Sequence, residues 1–496
     1  MQSRGMQKKS VWLKIISAGS MVWLVWGMLY LSGCQSRAEA PTVSEAAVSI
    51  PEIEETESDL QTEKESVRET VPATVDSSEE DLDTMSLSEG NTPDVSSDTV
   101  PLTSEQRETV AVDPYAGAQL SPERIQDINR NTLANPEAGC YQVSALITLS
   151  REEVLGKICG YGFPEYPYYA GHAITPEERA AIEANRNVDA VPETVTVQYG
   201  IITDNANLRT YPTSEPITEN NRYEDFDYFQ ESLFAVGEMV AVLHTSADGR
   251  FVFVIGANDT GWVEREKVGF TDLSTLQQWE TALKHPAVVT EPYAKLDNGT
   301  CLRMGTALPL LGNDGVNYRV WYPLNRNGGL ELTELLIPVR NDISDGYLPF
   351  TYEAVVRRMQ QMASVTYGWG DAHLNYDCSS TVGAVYKCFG IFLPRNTGQM
   401  HAAGTSVYAL EGMSQEDKLS RIQSAPAGSL LVMRGHVVMY FGMINGVPMI
   451  AHNVTRYSEN GTDIIEAYQY RTTSLYVYTS SGRMYLDAFA SLIVFE

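Results

Sequence analysis

Apolar positions recur with two different periods along this 496-residue chain, and the change of period divides it. Within 351–363, Val355, Val356, Met359 and Met362 fall on one face at helical spacing, which predicts an amphipathic helix. A second helical pattern opens at Cys378, runs through Thr381, Val382, Val385, Tyr386 and Phe389, and is closed by Gly390 and Pro394. Beyond Ser429 the runs become short, apolar and β-branched: 430–433, the segment from His436, 449–454, 474–478 and 492–495. They predict an antiparallel sheet. Upstream, 195–202, 233–243, 251–255 and 261–263 are short strands separated by Gly, Asn and Asp, the pattern of a small β-barrel. A second such unit is expected over 285–340. Ser121-Pro122-Glu123 and Thr175-Pro176-Glu177-Glu178 read as helix starts, and the Pro/Tyr/Gly-rich run at 161–172 as irregular chain.

Residues 35–120 show no period at all. They hold 21 acidic and 4 basic side chains, so −17 of the chain's formal net charge of −29 lies there. Such a stretch cannot bury enough apolar surface to offset its ordering entropy and is expected to be a disordered, self-repelling tether. Before it, Arg4, Lys8, Lys9 and Lys14 precede an uncharged run from Ile15 to Leu31, and then Leu-Ser-Gly-Cys at 31–34. This reads as a secretory signal ending in a lipoprotein processing site, with Cys34 as the acylated residue. A retained membrane helix is the rival, but 17 residues is short for a span. The expected location is therefore the extracytoplasmic face of a membrane, held by lipid. With no basic stripe, nucleic acid is not an expected partner.

The candidate chemistry begins with Cys378 in Asn-Tyr-Asp-Cys-Ser-Ser at 375–380, at a helix N-terminus, where backbone N–H groups favour a thiolate. A base is offered by His436 in Gly-His-Val-Val-Met-Tyr-Phe-Gly (435–442), and a third polar group by His452 or Asn453 in 449–454. Cys on a helix, His on a strand and a polar residue on the next strand is the arrangement of a papain-like thiol hydrolase. If Asn445-Gly446 forms a plain two-residue turn, His436 shares a face with Asn453; a bulge instead puts His452 beside it. Both remain open at this point. His373 and His401 are further, weaker bases. Cys388 and Cys301 read as core, while Cys140 and Cys159 are candidates for a disulfide. No Cys-x-x-Cys pair or clustered His supports a metal site, and no cofactor is expected.

The Asp-Cys-Ser start, the Gly-His-Val…Tyr-Phe-Gly strand, Tyr-Gly-Trp-Gly (367–370) and Leu-Pro-Arg-Asn-Thr-Gly-Gln (393–399) resemble the NlpC-type bacterial cell-wall cysteine peptidases over 345–496. Asn-Leu-Arg-Thr-Tyr-Pro-Thr (207–213) with Gly-Trp-Val (261–263) resembles a bacterial SH3-like domain. The resemblance implies an α+β fold: a papain-like peptidase domain at 343–496, preceded by SH3-like barrels at 194–280 and 281–342. A helical or irregular segment at 120–193, the tether at 34–119 and the signal at 1–33 come before them. It implies Cys378, His436 and His452 as the catalytic set, with Asn453 the alternate, and Tyr367 as an aid to the oxyanion. Asp377 and Ser379 would bind the free α-amine of an L-Ala-γ-D-Glu stem, unless Asp377 simply caps the helix. The implied reaction is hydrolysis of peptidoglycan stem peptides between γ-D-glutamyl and a diamino acid. An idle wall-binding lipoprotein, or an amidase or acyltransferase on the same fold, are the alternatives. Ser380 departs from the Gly usual after Asp-Cys-Ser.

Overall fold

The computed structural model describes residues 119–221 and 226–496. The signal, Cys34 and nearly all of the expected tether lie outside them.

The C-terminal domain is built on a six-stranded antiparallel sheet. Its strands are β1 (Ser406–Ala409), β2 (Leu430–Met433), β3 (His436–Ile444), β4 (Val447–Ser458), β5 (Ile464–Ser474) and β6 (Phe489–Val494), in the order β1-β6-β2-β3-β4-β5. Two helices pack against it beside the N-terminal helix α1 (Pro122–Ala134): α2 (Tyr352–Gln361) and α3 (Cys378–Lys387). Helix α2 buries Val355 and Met359, and Met362 follows in a closing turn, as the periodicity predicts. Helix α3 is buried on almost every face, including the polar Ser379 and Thr381 of its first turn. The 474–478 run differs from expectation: β5 ends at Ser474, and Tyr478 makes isolated bridges to Ser458 and Met484.

Helix α1 corrects the expected domain boundary. Ser121 caps it as predicted, but its apolar face (Ile125, Ile128, with Leu120 before it) belongs to the same core as Phe350, Phe389 and Phe495. The guanidinium of Arg124 reaches the carbonyl of Glu496. The first described helix is thus part of the C-terminal domain's core, whereas helices Arg151–Ile158 and Pro176–Asn185 pack on the β units.

Strands within 198–271 and 286–345 form two β units, most of them in one twelve-stranded sheet joined where Phe270 pairs in parallel with Gly329, while Tyr293–Lys295 and Cys301–Arg303 pair with each other. The run expected as one strand at 233–243 is two, Gln230–Phe234 and Met239–Thr245. Gly237 breaks it with φ 88°, where a side chain would press on Trp279. Trp262 and Trp279 are core anchors with no exposure, and only Trp321 is half-buried, so no Trp groove runs along these units. No disulfide joins Cys140 to Cys159; burial instead pushes the Cys140 thiol up to about 11. Cys388 is core, but Cys301 is half-buried at the start of its strand.

Candidate active site

Cys378 is the first residue of α3, and Asp377 is its cap. The Asp377 carboxylate accepts the Ser380 N–H at 2.8 Å, and the Ser380 hydroxyl accepts the Asp377 N–H at 2.9 Å. This reciprocal box fixes the first turn and hence the direction of the thiol. The N–H of Val437 points at the Cys378 sulfur, which sets the thiol against the start of β3.

The pairing of β3 with β4 decides which of His452 and Asn453 faces His436. Ile444 does pair with Val447 across Asn445-Gly446, but the register shifts at Phe441, where Tyr440 faces Ile450 and Gly442 faces Met449. Gly442 takes φ 85° to make the bulge. The one-residue shift turns His436 onto the face of His452, and their Nε2 and Nδ1 atoms stand 2.9 Å apart. Nδ1 is then the ring nitrogen of His436 that His452 does not engage. In that state Nε2–H of His436 donates to His452, whose own Nε2 lies 3.4 Å from the Thr473 hydroxyl on β5. Asn453 points to the other face. Its amide holds the Tyr376 carbonyl at 2.7 Å and so steadies the chain leading into Cys378. His373 and His401 are exposed and stand apart, His401 being paired with Glu137.

The electrostatics correct one expectation. The helix terminus favours a thiolate, yet burial outweighs it: the Cys378 thiol is pushed up to about 12, with the Asp377 charge adding to the effect and Arg395 opposing it. Burial likewise lowers His436 to about 4 and His452 well below the usual range. Burial thus favours the neutral thiol and the neutral imidazoles. Tyr485, which the sequence pattern did not single out, lies edge-on to both rings, 5.9 Å from His436 and 5.6 Å from His452. It shields them from water. Tyr367 stands within electrostatic reach of Cys378 and Asp377, and burial raises its phenol, keeping it a donor. Beside it opens a groove of about 250 Å³ lined by Phe226, Trp369 and Tyr468.

Asp377 is not an empty carboxylate. Arg395, from the Leu-Pro-Arg-Asn motif, grips it at 2.7 and 3.3 Å, and Ser379 donates to it at 2.9 Å. Arg395 also reaches Asp371 at 3.6 Å and the Ser232 hydroxyl at 2.7 Å. Glu231 and Asp259, from the first β unit, share this neighbourhood. Burial raises Glu231, and it raises Asp259 to about 7, helped by the Glu231 charge. Asp259 Oδ2 is buried with no hydrogen-bond partner among the described residues. Four carboxylates (Asp371, Asp377, Glu231, Asp259) thus face two guanidiniums (Arg303, Arg395), and burial makes Glu231 and Asp259 hold protons more tightly. Glu231 and Asp259 were invisible in the sequence because they lie some 120 to 150 positions from Cys378 on a different β unit. Among the described residues, no group of three or more His, Cys, Asp or Glu converges as metal ligands.

Residues 364–475 match the NlpC/P60 family, and residues 217–264 match the SH3 domain of the SH3b1 type. The chain carries an SH3b domain followed by an NlpC/P60 domain. The γ-D-glutamyl-L-lysine dipeptidyl-peptidase of Bacillus cereus is 25% identical over 229 residues, which cover 43% of this chain and 65% of that protein. The chain thus spans just under two thirds of that relative's length. An NlpC/P60 endopeptidase from Photobacterium damselae subsp. piscicida shares the fold with a TM-score of 0.62 at 18% identity, over 76% of this chain and 94% of that one. An NlpC/P60 family protein from Bacillus cereus covers 60% of this chain and 99% of its own, at 18% identity and a TM-score of 0.43.

Proposed function

We propose that this chain is a cell-wall cysteine peptidase that hydrolyses peptidoglycan stem peptides between γ-D-glutamyl and a diamino acid, acting on stems with a free amino terminus. The observation that carries this reading is the Cys378–His436–His452 set beside a pocket with more carboxyl than guanidinium groups. The Cys378 sulfur attacks the γ-D-glutamyl carbonyl while its proton passes to Nδ1 of His436, and His452 holds the imidazolium so formed. The Tyr367 hydroxyl donates to the oxyanion. His436 returns the proton to the leaving amine, a thioester remains, and water activated by His436 hydrolyses it, restoring the thiol.

The amine clamp first ascribed to Asp377 and Ser379 is shared in this reading. Asp377 is already balanced by Arg395, so the substrate ammonium adds its charge to Glu231 and Asp259, replacing a proton held there. An acylated stem brings no charge to this pocket and is disfavoured. The name of the Bacillus cereus relative, a dipeptidyl-peptidase at a γ-D-glutamyl-L-lysine bond, is consistent with a substrate that begins two residues before the cut. A lipid on Cys34 and the acidic segment would tether the enzyme to the outer face of a membrane, within reach of wall fragments. The test is mass spectrometry of fragments released from purified wall and from isolated stem peptides, with native and iodoacetamide-blocked enzyme. Thiol-dependent release of a diamino acid from isolated stems supports the proposal; release of whole stems from wall would point to an amidase.

A further inference from the structure

The loop that leads into the catalytic helix is strained, and its restraint comes from outside the peptidase domain. Asp371, His373 and Leu374 take φ of 65°, 58° and 64°, the left-handed region that side chains avoid. The loop is closed at its base, where the Gly368 N–H donates to the Tyr376 carbonyl at 3.0 Å and Tyr367 bridges to Tyr376. Tyr367 and Cys378 therefore stand at the two feet of one strained loop. Inside it, Asp371 is almost wholly buried and accepts from the Ser380 hydroxyl of α3.

The opposite side of Asp371 is held by Arg303, on the strand Cys301–Arg303 of the second β unit. Its guanidinium donates to the Asp371 carboxylate at 3.2 Å and to the Asn375 carbonyl at 2.6 Å, and lies 4.0 Å from the centre of the Tyr376 ring. The Tyr376 hydroxyl is fixed from the same unit, donating to the Pro292 carbonyl at 2.6 Å and accepting the Met304 N–H at 2.9 Å. A buried ion pair is weak evidence of stabilisation, since apolar packing serves as well; what it supplies is direction.

We infer that Arg303 is a positioning residue for the thiol: through Asp371 and Ser380 it holds the strained loop that sets Cys378 against Tyr367. The second β unit is then a working part of the catalytic centre. Ser380 also gains a reason, because a glycine there would lack both the capping hydroxyl and the link to Asp371. The inference rests on Cys378 as nucleophile and not on the identity of the substrate.

The test uses the full chain with Ser380→Ala, Arg303→Met, Arg303→Lys and the Ser380→Ala/Arg303→Met double variant. Two rates are measured: turnover of an L-Ala-γ-D-Glu-diamino acid peptide, and alkylation of Cys378 by iodoacetamide across pH, read by mass spectrometry of the Cys378 peptide. Ser380→Ala removes one oxygen and no charge, and its circular dichroism is compared with wild type before the rates are read. It should lower kcat about tenfold or more with KM changed less than about threefold, and should displace the alkylation profile. Arg303→Met should act in the same direction, Arg303→Lys should not restore the rate, and the double variant should be no worse than Arg303→Met. Wild-type kcat and alkylation profile in Ser380→Ala, or fully additive losses in the double variant, would overturn the inference. If no variant nor the wild type cleaves the peptide, the substrate reading fails, while the alkylation profiles still decide the positioning role.

Discussion

A neutral thiol beside a neutral imidazole makes the proton transfer part of the attack, and this has consequences at single residues. Cys378→Ala should lower turnover by about 10³-fold or more, and His436→Ala by a similar factor, because the members of such a set act as a unit. His436 also writes a signature on stability. Its folded value of about 4 lies below the 6.5 of the unfolded chain, so the unfolded state binds the extra proton between these values. Stability therefore rises with pH through that window and is lost on acidification. Thermal melts from pH 7 to pH 4 should show a larger fall for wild type than for His436→Gln; equal falls would mean the imidazole is not held neutral. At the amine pocket, Glu231→Gln should raise KM for a free-amine peptide about tenfold or more, with kcat little changed. Because Asp259 is raised to about 7, KM should also climb as the pH drops below that value. A KM that ignores both changes would remove these carboxylates from substrate binding.

Among the elements, the bulge in β3 carries the most weight. Helix α3, the hairpin and the His on its first strand were legible in the sequence, because helical and strand periods differ and Asn445-Gly446 marks the turn. Which of His452 and Asn453 faces His436 was not, since one inserted residue reverses a whole strand and no side chain announces it. Gly442 is the trace it leaves, readable only once its φ of 85° is known. Gly442→Val should disfavour the positive φ that the bulge needs, favour the plain register that turns His436 toward Asn453, and cost about 10³-fold in turnover with the sheet intact by circular dichroism. Retained turnover would mean the register is not what pairs the histidines. The charge network escaped the sequence for another reason. Arg303, Glu231 and Asp259 lie in strands and loops of the β units, far from Cys378 along the chain, and each alone resembles an ordinary surface charge.

For the molecule as a whole, the helix at 122–134 belongs with the catalytic core, although it is separated from it along the chain by both β units. Ile128→Ala should destabilise that core by about 2–5 kcal/mol and lower the melting temperature of the catalytic domain; an unchanged melt would make the helix an ornament. The lipid anchor is tested separately. A fatty-acid analogue should label the wild-type protein and not Cys34→Ala, and an unlabelled wild type would restore the membrane-helix reading. The central claim, a thiol peptidase selective for free stem peptides, is tested most directly by one comparison. The full chain and its Cys378→Ala variant are incubated with L-Ala-γ-D-Glu-diamino acid peptides whose amino terminus is free or acetylated, and the products are weighed by mass spectrometry. The account predicts release of the diamino acid from the free peptide by the wild type alone, at least about tenfold faster than from the acetylated one. Equal rates on both peptides, or release by Cys378→Ala, would contradict it.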